Sequence, residues 1–132
     1  MSEHAVATFT LKSWDEKAYD ETQGLPRLSR VSATKSYEGD VAGAGTVQYL
    51  MMYRLDGSAT FIGLERVGGS VGGRSGSFVF QHTGTFENGI AEVTLSIVPG
   101  SGTEGLDGLQ GTGQFAVGHE PPYKMTLDYH FT

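Results

Sequence analysis

The sequence predicts an all-β fold, a single domain over residues 1–132 in which eight antiparallel strands, mostly joined as a meander, close into a barrel. Three observations predict it. Apolar and polar residues alternate with period two along most of the chain, and no stretch outside one ambiguous connection has helical periodicity. Two Asx-Gly pairs, Asp56-Gly57 and Asn88-Gly89, sit between alternating runs, where they mark tight hairpins. Twenty glycines fall between and within these runs without a collagen-like period, which suits turns, bulges and the sharp coiling of a small barrel. A sheet of eight antiparallel strands either splits into a sandwich or closes, and closure removes both exposed edges.

Ala5 to Ser13 alternates Ala7, Phe9 and Leu11 against Thr8, Thr10 and Lys12, with Trp14 on the second of these faces. Asp15 to Pro26 is polar, lacks a sustained period and reads as a long connection. Leu28 to Tyr37 is a strand rich in β-branched and hydroxyl residues, closed by Glu38-Gly39-Asp40, where Gly39 supplies a positive φ angle. Thr46 to Leu55 follows, with Val47, Tyr49, Met51 and Tyr53 opposite Gln48, Leu50, Met52 and Arg54. The hairpin at Asp56-Gly57 leads into Ala59 to Val67. Gly76 to Phe86 places Phe78, Phe80, His82, Gly84 and Phe86 on one face; Asn88-Gly89 turns it into Ile90 to Val98, which Pro99 stops. A long loop, a Gly-punctuated strand from Leu109 to Val117, a break at Glu120-Pro121-Pro122 and a last strand from Tyr123 to Phe131 complete the chain.

Between the fourth and fifth strands the run GGSVGGRSGSFVF sets four residues between Gly68 and Gly73-Arg74-Ser75, one Lys-to-Arg change from the spacing of a phosphate-cradling loop. That loop needs a helix behind it, because the helix N-terminus and the loop amides hold the phosphates together. Here a period-two strand follows, so the glycines read as hairpin chemistry. The same context excludes a serine-hydrolase elbow at Gly73–Gly76 or Gly100–Gly102.

The runs GRSGSFVFQHTGTF (Gly73 to Phe86), VPGSGTEGLDGLQGTG (Val98 to Gly113) and YKMTLDYHF (Tyr123 to Phe131), together with SWDE (Ser13 to Glu16) and YEGDVAG (Tyr37 to Gly43), resemble a family of small bacterial proteins catalogued only as a domain of unknown function. The resemblance implies a fold similar to the allene oxide cyclase barrel, which has eight antiparallel strands. It assigns no catalytic residue, and fold-level analogy is a weak warrant for function.

A net charge of −6 disfavours nucleic-acid backbones and anionic membranes, both of which require clustered Lys and Arg. The absence of cysteine excludes disulfides, thiolate nucleophiles and Cys-based metal sites, and suits a reducing cytosol. The N-terminal run shows no secretory signal and no apolar run approaches a membrane span, so a cytoplasmic location is expected. No cofactor or metal is implied: His119 and His130 are too far apart for a compact zinc spacing, and His119 reads as a solvated loop residue.

Glu65 and His82 are the acid–base candidates. Glu65 shares a face with Phe61 and Val67, where a carboxylate needs a partner, with Arg30 and Arg54 the expected ones. His82 lies among Phe78, Phe80 and Phe86. If the two faces coincide on adjacent strands, they form one couple, readable either as a satisfied core pair or as general acid–base machinery. Trp14, Tyr49, Tyr53, Phe61, Phe80, His82 and Tyr129 are the candidate ligand-binding residues, aromatic groups that pack a core or line a cavity equally well.

The leading expectation is a barrel that binds a small apolar or amphipathic ligand. The alternatives are an isomerase or cyclase-like enzyme using Glu65 or His82, and a solid-core oligomeric protein with no pocket. Two strands with two apolar faces, TVQYLMMYRL and YKMTLDYHF, point to a homodimer or higher homo-oligomer.

Overall fold

The computed structural model of the chain describes residues 2–118 and 120–132. Its strands in chain order are β1 (Glu3–Asp20), β2 (Arg27–Gly39), β3 (Val41–Tyr53), β4 (Ala59–Val71), β5 (Arg74–Glu87), β6 (Ile90–Ile97), β7 (Leu109–Val117) and β8 (Tyr123–Phe131). Each pairs antiparallel with its chain neighbours, and β8 returns to β1, closing the barrel. The expected fold is the observed one. His119 lies outside the described residues.

Alternation decides what fills the barrel. Val31, Ala33, Lys35 and Tyr37 on β2, Val47, Tyr49 and Met51 on β3, Phe61, Glu65 and Val67 on β4, and Phe78, Phe80 and His82 on β5 are all buried. The glycine-rich run before β5 turns one strand into the next. Val71 pairs with Arg74, and Gly72 and Gly73 between them have φ of 57° and 85°, the left-handed pair that a two-residue hairpin turn of the matching twist requires. The loop before β7 carries a short 3-10 turn, Glu104–Leu106, that lays Leu106 fully buried into the core beside the start of β5.

Three expectations change. β1 continues to Asp20, so the first connection is short. Its second half is polar because only β2 pairs with it: Trp14 faces Ala33, Glu16 faces Val31 and Ala18 faces Ser29, whereas β8 pairs only with Glu3 to Phe9. A strand flanked on one side needs no continuous apolar run. Trp14 also changes face. A register shift between Leu11 and Ser13 inserts one residue, and this bulge moves Trp14 onto the side of Phe9 and Leu11. Finally, β8 has one apolar face and not two. Its alternate residues Lys124, Thr126, Asp128 and His130 are partly or fully exposed, while Met125, Leu127 and Tyr129 are buried. The outer faces of β3 and β4 do carry exposed Leu50, Ile62 and Leu64.

Among the described residues, no helix is long and apolar enough to cross a membrane.

Candidate functional site

Glu65 sits at the centre of a buried polar cluster supplied by four adjacent strands. Pairing places Val47 opposite Glu65 and Glu65 opposite Phe80, and the diagonal neighbours then converge on the carboxylate from both sides. Its Oε1 lies 2.7 Å from His82 Nε2 and 3.4 Å from Lys35 Nζ, and its Oε2 accepts the Tyr37 hydroxyl at 2.7 Å. Tyr49 OH lies 3.1 Å from His82 Nδ1, and Lys35 Nζ lies 3.5 Å from the same hydroxyl. Lys35, Tyr49, His82 and Glu65 thus form a closed ring of contacts. The room for it comes from β3: at Gly45 a side chain would overlap Glu65 Oε2, so only glycine lets the carboxylate lie against that strand.

The protonation pattern follows from what each group meets. Burial pushes the Glu65 carboxyl up, but the Lys35 charge and the hydrogen bonds from His82 and Tyr37 outweigh it, and the group is held below its ordinary range. An ionised carboxylate only accepts, so His82 Nε2 carries the proton it donates to Glu65. Burial pushes His82 down, offset in part by that bond, which leaves the imidazole neutral and its Nδ1 free to accept from Tyr49. Burial likewise lowers Lys35, with the Glu65 charge opposing. Tyr37 and Tyr49 are both raised by burial and then by the charge of Glu65, so both remain phenols.

Above this cluster, toward the Asp56-Gly57 and Asn88-Gly89 turns, lies a cavity of about 300 Å³. Its wall is apolar: Phe9, Leu11, Met51, Phe61, Phe115 and Val117 among others, with Trp14 and Tyr53 at the mouth. Lys35 and Tyr49 are the polar residues in its deep wall. The Lys35 ammonium lies against two aromatic rings, 4.6 Å from the centroid of Phe9 and 4.7 Å from that of Phe115. At the mouth, Glu16 accepts hydrogen bonds at 2.6 Å from both Ser29 and Tyr53 and at 3.2 Å from the Trp14 indole, and Arg27 covers the Tyr53 ring at 4.4 Å. Burial pushes the Glu16 carboxyl up, but those three bonds and the Arg27 charge bring it below its ordinary value; Tyr53 is pushed up to about 12 by burial and the Glu16 partner.

Of the residues expected to meet a ligand, Trp14, Tyr49, Tyr53 and Phe61 line this cavity. Phe80 and His82 are fully buried beneath it, and Tyr129 lies at the opposite end, beside the Gly72 turn. Glu65 and His82 are brought together, as their shared face and adjacent strands predict, but neither is on the cavity wall. The partner of Glu65 is neither Arg30 nor Arg54. Arg30 points outward, and Arg54 is spent on Ser58 and Thr60 across its own hairpin. Sequence reasoning missed Lys35, Tyr37 and Glu16. The signal for Lys35 was its parity with Val31 and Ala33 on β2, which puts a lysine on an inward face.

Among the described residues, no group of three or more His, Asp or Glu side chains could hold a metal ion.

Comparison with known families matches residues 5–129 to "Protein of unknown function (DUF3224)", a span that runs from within β1 to within β8. The chain belongs to the DUF3224 family. A crystal structure at 1.84 Å resolution of a protein of unknown function from the DUF3224 family, from Shewanella oneidensis MR-1, superposes on this DUF3224 chain with a TM-score of 0.86. The two are 26% identical over 100% of this chain and 99% of the other. No curated protein matches the chain.

Proposed function

We propose that this DUF3224 barrel binds a small, largely apolar molecule in its mouth. The observation that carries the reading is the cavity of about 300 Å³, at the lower bound of ligand pockets, with an apolar wall and two polar side chains set deep within it. Concave apolar surface with a few convergent polar groups is what small-molecule recognition requires. The cavity also speaks against the solid-core alternative. Proton-transfer chemistry is the weaker reading, because Glu65 and His82 would have to act through Tyr49, whose raised phenol holds its proton. The lack of cysteine suits a cytoplasmic location.

Native mass spectrometry of protein purified from its own host tests the binding reading. A mass excess that disappears on denaturation supports it and identifies the ligand. An apoprotein mass, together with unchanged Trp14 fluorescence on titration with apolar probes, overturns it.

Self-association is part of the proposal, and β1 is its surface. Among the described residues nothing pairs with the outer edge of β1 from Thr10 to Asp20, which leaves a row of backbone donors and acceptors for another strand. An antiparallel copy centred on Glu16 would set Asp15 of each chain opposite Lys17 of the other and Trp14 opposite Ala18, two opposite-charge pairs that flank a central Glu16–Glu16 contact.

A further inference from the structure

The deep wall of the cavity is already in charge balance, and its spare hydrogen-bonding capacity is of one kind. Glu65 contributes one negative charge. Lys35 contributes one positive charge, and His82 is neutral. Both nitrogens of His82 are engaged, both oxygens of Glu65 are engaged, and the Tyr49 hydroxyl donates to His82. Lys35 has three N–H donors but two acceptors, both at the long end of hydrogen bonding, 3.4 Å to Glu65 and 3.5 Å to Tyr49. What remains toward the cavity is the face between the Phe9 and Phe115 rings.

Resting on the binding reading above, we infer that the ligand carries a neutral acceptor head, a carbonyl or hydroxyl oxygen that docks on Lys35 beside Tyr49, and that a carboxylate head is selected against. A neutral acceptor takes the spare N–H of Lys35 and leaves the balance intact. A carboxylate in the same place leaves one uncompensated negative charge in a site shielded from water, which is costly. The groups facing it are Glu65, Lys35, His82, Tyr37 and Tyr49, of which the Glu65 carboxylate and the His82 imidazole are bases able to take up a proton. A carboxylate therefore binds only with uptake of one proton, at His82, at Glu65 or on the ligand itself. At ~30 Å³ for each water-sized group, the cavity holds a ligand of about ten heavy atoms.

The test compares three molecules of nearly equal size on the intact protein: methyl heptyl ketone, nonanol and nonanoate. Trp14, the one tryptophan of the chain, lines the cavity and reports binding. Calorimetry in two buffers of different ionisation heat counts protons. The inference expects the ketone and the alcohol to bind with no proton uptake and an affinity flat from about pH 7 to 9. It expects nonanoate to bind at least about tenfold more weakly at pH 8 and to weaken about tenfold per pH unit, the slope of one proton taken up. Nonanoate binding as tightly as the ketone without proton uptake overturns the inference and leaves the binding reading standing. Failure of all three to bind overturns both.

Discussion

Glu65 Oε1 and His82 Nε2 meet at 2.7 Å with neither side chain reaching solvent, and the two residues lie on adjacent strands. This contact is the inner half of the polar cluster, and Lys35 and Tyr49 carry it to the cavity. The cluster spends desolvation energy on five titratable groups, which makes its integrity measurable.

Removing one charge of the cluster strands the other. Glu65→Gln leaves the Lys35 ammonium buried without a counter-charge and is expected to cost about 3–5 kcal/mol of stability. The double substitution Glu65→Gln with Lys35→Met, which removes both charges, is expected to recover part of that loss. Urea unfolding of the two variants beside the parent checks it. Equal losses in the single and the double variant would show that the pair does not act as a unit.

The acid limb of stability carries the same signature. His82 has a folded pKa below its ordinary 6.5, so the unfolded chain takes up a proton that the folded chain refuses. Its contribution is therefore fully present above pH 6.5 and is lost as pH falls from there toward the folded value. Glu65, also depressed, contributes stability that is present above its ordinary 4.5 and lost as pH falls further. Unfolding free energies measured from pH 8 to pH 5 are expected to decline in the parent by at most about 1.4 kcal/mol per pH unit for this proton. They should decline less in His82→Gln. Parallel curves for the two proteins would refute the assignment.

Gly45→Ala tests the packing that admits the carboxylate. The added methyl overlaps Glu65 Oε2, and a displacement of the whole cluster is expected to cost about 1–3 kcal/mol. Thermal denaturation reads the change directly. A neutral effect would mean that β3 yields without disturbing Glu65.

Filling the cavity should abolish binding without unfolding the barrel. Ala91 is half-buried in the cavity wall, and Ala91→Phe places a ring in the space. The expected result is a near-parental denaturation midpoint with the Trp14 response to methyl heptyl ketone lost. An unaltered titration would place the ligand elsewhere.

Charge swaps address the β1 edge. Lys17→Glu sets acid against Asp15 of the second copy and is expected to lower the sedimenting mass toward that of the monomer. Joining Asp15→Lys to Lys17→Asp restores opposite charges and should restore association. A parental protein that sediments as a monomer across micromolar concentrations defeats the proposal outright.

How much of this was legible in the sequence depends on how local the determinant is. Hairpin chemistry at Gly72-Gly73 and Asn88-Gly89 is a two-residue matter, and those turns stand where the residues put them, whereas at Asp56-Gly57 the turn is wider, Arg54 bonding Ser58 across Leu55, Asp56 and Gly57. Parity along β4 and β5 runs without interruption, so the meeting of Glu65 and His82 could be read from alternation alone. Trp14 could not, because a single inserted residue after Leu11 inverts the parity of the residues from Ser13 to Ala18, and no local residue type announces it. Lys35 was hidden by chemistry rather than geometry. A lysine is read as solvated unless its partner is known, and Glu65 comes from a strand two places away. The second half of β1 becomes a strand only through its pairing with β2.

The uneven length of the strands shapes traffic into the barrel. β1 runs on to Asp20, whereas its neighbour β8 meets it only as far as Phe9. The rim is therefore no level ring: it climbs around the barrel and drops abruptly at the β8–β1 seam, like one tread of a spiral stair. Leu11 and Trp14 stand above that drop on β1, and Phe115 and Val117 of the cavity wall stand below it on β7. In a single copy the ligand thus has a sideways approach, along the flank of β1 and across the indole, and a second copy paired on the β1 edge would narrow it. Bulk added at the low side of the seam should slow arrival and departure alike, leaving the equilibrium almost untouched.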